Sequence, residues 1–316
     1  MRTETGALDQ LIKQLTSQAY LLRHPATDKR PFVQPEEELR YARRAASYLM
    51  VGEVEEAAEA AYEFKYELIE YHDTDAGARY YVLREDLSRI ETARGWGAFL
   101  LNPEPEFEAL IEAPHPLGDS NSAQLASRVF AEGARALLIA GAHRKKADLP
   151  DFEESVFHQV HASWIGGNKT MPVLQVHGFA AYKHNFPEDA QLILSTGGGQ
   201  VIEELQHLDS QFDRHGFPCY VYNTLDPRSK ENKKVNGDAP GDQFRSLAAT
   251  KNEQGKQVRE EGGKFVHLEF EIAIRHDRER RERAAQVVAQ TMSRLAPAER
   301  TQLRQATRGR AIKAGG

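Results

Sequence analysis

Three stretches of this chain, ALLIAG at 136–141, PVLQVHG at 172–178 and AQLILS at 190–195, are almost unbroken apolar runs. Each is short, and Gly, Pro or polar residues bound it, which points to strands covered on both faces. Candidate strands then fall at 80–83, 96–101, 109–113, 136–141, 173–178, 191–195, 220–222 and 264–270. Helical spacing fills the gaps at 122–130, 152–164, 201–215 and 277–295. Such alternation predicts an α/β fold, with a mainly parallel central sheet flanked by helices.

The N-terminal part reads differently. Residues 7–22 carry Leu8, Leu11, Leu15 and Tyr20 near helical spacing, and Pro25, Pro31 and Pro35 then break the chain. The Ala/Glu-rich stretch 36–71, with Gly52 near its middle, predicts a helical hairpin. The expected organisation is an α-helical N-terminal region over 1–75 and an α/β catalytic domain over 76–295. Within that domain the Lys-, Asn- and Gly-rich segment 226–263 reads as a long loop or lid. A basic tail follows at 296–316; from Arg275 onward there are ten Arg and one Lys against four acids.

Cys219 is the one cysteine, so no intrachain disulfide and no thiolate zinc knuckle can form. Any metal ligands must be imidazole and carboxylate. A net charge of −6 argues against nucleic acid as a partner. No apolar run approaches the roughly 20 residues of a membrane span. The start, MRTETGALDQLIKQ, lacks the apolar stretch of a secretory signal, so a cytoplasmic protein is expected. A periplasmic or secreted location would need a leader removed beforehand. Oligomeric state is left open. Six of the twelve histidines fall within 115–184, which directs attention there.

Ligands in open α/β sheets sit beyond the carboxyl ends of the strands. The strand at 109–113 is followed by His115 and Asp119, the one at 136–141 by His143 and Arg144, and that at 173–178 ends in His177. The run Ser195-Thr196-Gly197-Gly198-Gly199 follows 191–195, and the last apolar strand carries His267, Glu269 and Glu271. An open zinc site needs about three N/O ligands, and His115, Asp119 and His177 supply them. Bound zinc lowers the pKa of its water to about 7. A carboxylate outside the ligand set must then carry the proton to the leaving amine, and Glu269 is the candidate. Arg144 would anchor a substrate carboxylate by a planar two-point contact. His143, His158 and Arg275 are candidates for binding the substrate.

Each residue also has a plainer reading. His115 sits between two prolines as a turn residue would, and Asp119 is placed to cap the helix near Ser120. Glu112 competes with Asp119 as the acidic ligand, and Glu271 shares a sheet face with Glu269. His158 and His161 lie i, i+3 on a helix that Asp151 and Glu154 would cap; polar contacts lining the cleft explain them better than a second metal pair. The Ser195–Gly199 run matches neither the Walker nor the dinucleotide spacing. Ser195 has no G-x-S-x-G elbow.

The order His115…Asp119, then Arg144, then His177, then His267-Leu268-Glu269 resembles the N-formylglutamate amidohydrolase family. That family belongs to a wider group of zinc amidohydrolases and carboxypeptidase-like enzymes that includes poly-γ-glutamate hydrolases. In this resemblance His115 matches the histidine after the first core strand, and Asp119 the acidic position near it. Arg144 resembles the arginine after the next strand, and His177 the histidine of the "D-x-H" or "L-H-G" strand. Leu268-Glu269 resembles the "Q-L-E" strand, whose Glu acts in catalysis, and the helix bearing His158 is similar to a "Y-H" helix. The resemblance covers about residues 109–290. This chain departs from it with Glu-Ala-Pro before His115 and with His143 where the family tends to have Asn. Those departures bear on the substrate more than on the metal.

What the resemblance implies is a hydrolase with one zinc ion, cleaving a C–N amide bond of a carboxylate-bearing, small-molecule or peptide-like substrate. The alternatives are a non-catalytic ligand-binding relative of the fold, or a carboxypeptidase or deacylase of the same group.

Overall fold

A computed structural model of the chain describes residues 1–17, 21–22 and 26–298. Tyr20, Pro25 and the tail from residue 299 onward lie outside the described residues. All eight expected strands form, and two more join them. In chain order they are β1 (Arg2–Gly6), β2 (Tyr66–Asp73), β3 (Arg79–Glu85), β4 (Ala98–Leu101), β5 (Phe107–Ala113), β6 (Ala134–Ile139), β7 (Val173–Phe179), β8 (Leu192–Ser195), β9 (Cys219–Val221) and β10 (Phe265–Glu271).

They make one sheet in the order β1-β2-β3-β4-β6-β5-β7-β10-β8-β9. The central four, β6, β5, β7 and β10, are parallel, so their carboxyl ends share one edge. β4 and β8 flank this block and run against it.

Apolar residues on both faces of these strands call for a helical layer on each side. On one face Leu125, Val129 and Phe130 of helix Ser122–Ala131 share a core with Ala284, Val288 and Met292 of helix Arg278–Leu295. On the other, Leu39, Ala42 and Leu49 of helix Glu36–Met50 pack with Phe157, Val160 and Trp164 of helix Val156–Ile165. Trp164 is held in place as its Nε1 donates to the Ala46 carbonyl at 3.0 Å.

The N-terminal region contains the expected helices, Leu8–Leu15, Glu36–Met50 and Val54–Glu63, and it also contributes the sheet edge. The helical reading of 36–71 ends early. Lys65 adopts φ 60°, which a helix cannot continue, and the chain turns into β2 between β1 and β3. Segment 226–263 holds the helices Lys230–Asn236 and Glu253–Glu260 and the 3-10 helix Gly241–Leu247. No described helix is long and apolar enough to cross a membrane.

Outside the cleft at the carboxyl ends of β5, β7 and β10, helix Glu203–Arg214 buries Asp209, whose Oδ1 has no hydrogen-bond partner. Burial, reinforced by the nearby Asp213 carboxylate, pushes the Asp209 acid up to about 8. The folded state therefore holds a proton that the unfolded chain releases near pH 4. This group's contribution is fully present below that unfolded value and is lost as pH rises toward 8. Asp209→Asn is expected to raise Tm by roughly 3–8 °C at pH 8.5, with the gain vanishing near pH 4. Melting curves at the two pH values check this.

Candidate metal centre

The carboxyl ends of β5, β7 and β10 and the loop after β6 open onto one cleft of about 700 Å³. His115 lies just past β5, in the turn that leads to helix Ser122–Ala131. The Asp119 N–H donates to the His115 carbonyl at 2.8 Å, which brings the two side chains to one side of that turn. Asp119 does not cap the helix. Asn121 takes the cap position, and the Asp119 carboxylate instead accepts from the Gly178 N–H at 3.2 Å.

Three ligand-type atoms converge here. Asp119 Oδ2 is 3.5 Å from His115 Nδ1 and 3.3 Å from His177 Nδ1. Donor atoms about 2.1 Å from a tetrahedral ion stand roughly 3.4 Å apart, so this spacing fits a divalent cation. The far sides of both rings are tethered. His115 Nε2 meets Asp148 Oδ1 at 2.6 Å, and His177 Nε2 meets Gln175 Oε1 at 3.1 Å. Rings held this way turn Nδ1 inward, and buried His115 Nδ1 has no hydrogen-bond partner.

A second set, His177, His267 and Glu269, overlaps the first through His177. Glu269 pairs with His177 across β10 and β7, and its buried Oε2 has no partner. Glu271 is occupied elsewhere: it caps helix Ile272–His276 by accepting from the Ala273 N–H.

Charge is strongly coupled in this cluster. Burial disfavours the His115 imidazolium, but the Asp119 and Asp148 carboxylates outweigh it and raise the ring to about 9. Burial lowers His177 and His267, and the same burial, with the Asp119 charge, drives the Glu269 carboxyl well above its ordinary range. Asp119 is held well below the usual carboxylate range: burial opposes ionisation, and the two imidazoles overcome it.

Arg144 reaches in from the loop after β6, half-exposed, with Nη1 3.4 Å from Asp119 Oδ1. Arg275 lies against Gly178, where a Cβ would come within 2.2 Å of its Nε. Its guanidinium donates to the backbone carbonyls of Phe270, Ser120 and Phe179, so it braces three segments of the rim.

Other sequence candidates stand back from the cleft. The His143 side chain accepts from the Lys145 N–H at 3.1 Å, outside the cleft lining. His158 and His161 are buried outside the cleft lining, on a helix whose N-cap is Ser155 rather than Asp151. Glu112 is buried with them, 2.7 Å from His161 Nδ1 and away from the His115–Asp119–His177 cluster. Because β8 is antiparallel to β10, Ser195 pairs with His267 and the Gly197–Gly199 run leads away from the carboxyl edge.

The sequence reading missed Asp148, Asn252 and the bracing of Arg275. It also passed over Gln175, although an amide two residues before His177 in a buried strand is a legible signal. Residues 245–252 of the supposed lid wall the cleft and bring Arg245 and Lys251 to its rim.

No family model and no curated protein matches this chain. Among solved structures it is similar to N-formylglutamate amidohydrolase from Ralstonia eutropha JMP134, at 11% identity over 63% of this chain and 96% of that one, TM-score 0.42. It is also similar to a bacteriophage poly-gamma-glutamate hydrolase, at 13% identity over 62% and 88%, TM-score 0.34. Leucyl aminopeptidase from Trypanosoma brucei is 10% identical over 83% of this chain and 63% of that one, TM-score 0.39. These likenesses are distant and concern the course of the chain alone.

Proposed function

We propose that this chain is a zinc-dependent hydrolase of a C–N amide bond in a carboxylate-bearing substrate. The observation that carries the reading is the approach of Asp119 Oδ2 to His115 Nδ1 at 3.5 Å and to His177 Nδ1 at 3.3 Å, with both Nε2 atoms tethered from behind. When bound there, a divalent ion supplies Lewis acidity, an activated water and a positive charge that works against the burial of the Glu269 carboxyl.

The chain's own groups do the rest. Glu269 takes a proton at Oε2 from the attacking water and delivers it to the leaving nitrogen. Arg144, anchored at the rim beside Asp119, orients a substrate carboxylate and favours negative charge developing on the scissile carbonyl oxygen. Asp148 and Gln175 keep the two imidazoles from rotating away. Arg275 holds the turn at Ser120 against the ends of β7 and β10, which fixes the distance between Asp119 and Glu269.

Metal analysis tests the reading. The purified chain is expected to hold about one zinc per protein, and His115→Ala or His177→Ala to reduce occupancy by at least roughly tenfold. A wild-type chain that takes up no stoichiometric divalent ion defeats it.

A further inference from the structure

Tyr182 is 81% exposed, more than any other large apolar side chain among the described residues. Scattered exposed apolar residues are ordinary, but this one lines the cleft, on the 3-10 turn Ala181–Lys183 that follows β7. Exposed Tyr62 is covered by the Arg89 guanidinium, 3.4 Å from its ring centroid, whereas Lys183 Nζ stands off at 5.6 Å from that of Tyr182.

The turn rests on an aromatic base. His184, which also lines the cleft, stacks on Phe186 with ring centroids 4.8 Å apart and planes within 7° of parallel. Its ring meets buried Phe179 edge-on at 6.0 Å. Phe186 in turn lies 5.1 Å from buried Phe244. Phe244 belongs to the segment 241–252, which is pinned to β7 where Asn252 Nδ2 donates to Gln175 Oε1 at 2.8 Å. Burial and the Lys183 ammonium push the His184 imidazolium down, so near neutral pH this ring is an uncharged aromatic surface. Side chains held in place before a ligand arrives lose little freedom when it binds.

The wall stands opposite Arg144. Arg144 follows β6, while Phe179 and Phe244 share a core with Ile193 of β8, on the other side of β5, β7 and β10 in the sheet. His115, Asp119 and His177 belong to the ends of β5 and β7, between the two. A substrate whose carboxylate meets Arg144 on the amine side of the scissile bond therefore points its acyl group toward Tyr182. A cleft of about 700 Å³ leaves that wall untouched if the acyl group is only one or two carbons.

We propose that the acyl group of the substrate carries an aromatic ring that stacks on Tyr182 beside His184, which makes Tyr182 a specificity-determining residue. This rests on the chain being an amide hydrolase in which Arg144 holds the substrate carboxylate. The substrate class is an N-arylacyl amino acid. Hydrolysis breaks its C–N bond, joins the water oxygen to the acyl carbon and sends the proton carried by Glu269 to the nitrogen, giving an aryl-substituted acid and a free amino acid. Offset stacking on a tyrosine ring adds to the gain from covering its exposed face.

The test compares N-phenylacetylglutamate with N-acetylglutamate, whose amides are electronically alike, on the zinc-loaded full chain. Wild type is expected to favour the phenylacetyl compound by at least about 10-fold in kcat/KM. Tyr182→Ala is expected to bring the ratio of the two values to within about 2-fold, and Tyr182→Phe to preserve it. The ratio does not depend on the fraction of molecules folded. Equal kcat/KM for the two compounds in wild type overturns the proposal, as does a ratio that Tyr182→Ala leaves unchanged. A preference lost in Tyr182→Phe assigns the effect to the hydroxyl and overturns it too. If neither compound is hydrolysed, the hydrolase reading fails, and calorimetric titration with the same pair decides the ring site separately. Phenylacetylglutamate binding at least about 10-fold tighter in wild type, with the difference abolished in Tyr182→Ala, sustains the ring site; equal affinities overturn it.

Discussion

Glu269→Gln is expected to lower kcat for amide hydrolysis by about 10³-fold while leaving bound zinc and KM near their wild-type values. Glutamine keeps the side chain's shape and hydrogen-bonding reach but cannot carry a proton. With the ion assigned to His115, Asp119 and His177 rather than to the overlapping His177–His267–Glu269 set, the metal content should not follow the activity down; a parallel loss of zinc would make Glu269 a ligand instead. The wild-type carboxyl is buried and unpartnered at Oε2, an arrangement that costs stability unless a function requires it. The variant should therefore melt at the same temperature or slightly higher. Steady-state kinetics beside metal analysis read all three quantities. A variant that keeps more than about a tenth of wild-type kcat rules out Glu269 as the proton carrier.

Gly141→Ala is expected to lose roughly 3–5 kcal/mol of folding stability, measured by urea denaturation. A Cβ at Gly141 would fall 2.4 Å from the Gly95 carbonyl carbon and 2.6 Å from the Gly97 nitrogen. Both are backbone atoms, so no side-chain rotation relieves the clash. The segment before β4 would have to move away from the end of β6, where Ala98 pairs with Ile139. That movement also shifts the loop that carries Arg144 and Asp148, so activity should fall in the fraction of molecules still folded. Unchanged denaturation would show that the two segments separate freely.

Buried strands were the most readable part of the sequence. β6, β7 and β8 are covered on both faces, so their apolar runs mark them directly. β1, RTETG, is a largely exposed edge strand with no apolar signal, and it forms because β2 offers a parallel partner. β2 was hidden by the Ala/Glu helix that runs up to it. Strand direction was not written in the runs either: nothing local in AQLILS distinguishes a strand parallel to β10 from one opposed to it. In the site, His115, Asp119, His177 and Glu269 stood out because polar side chains in or just after buried strands need partners. Asp148 and Asn252 lie on loops, where a polar residue attracts no notice. Their roles follow from tertiary proximity alone. Glu112 was seen but assigned to the wrong neighbourhood, since a carboxylate one residue inside a strand end can serve the cleft or the layer beneath it.

The position of β10 gives the molecule a timetable. It inserts between β7 and β8, so residues 265–271 complete a sheet whose neighbours were synthesised about 90 and 75 residues earlier. Until the ribosome has delivered that strand, β7 and β8 present open edges to other nascent chains, a recognised hazard of late, non-local pairing. The same strand carries His267 and Glu269, and Arg275 follows directly after it. Strand closure, completion of the cleft and the arrival of Glu269 in it are therefore a single late event. A half-made chain has neither a finished sheet nor a complete cleft.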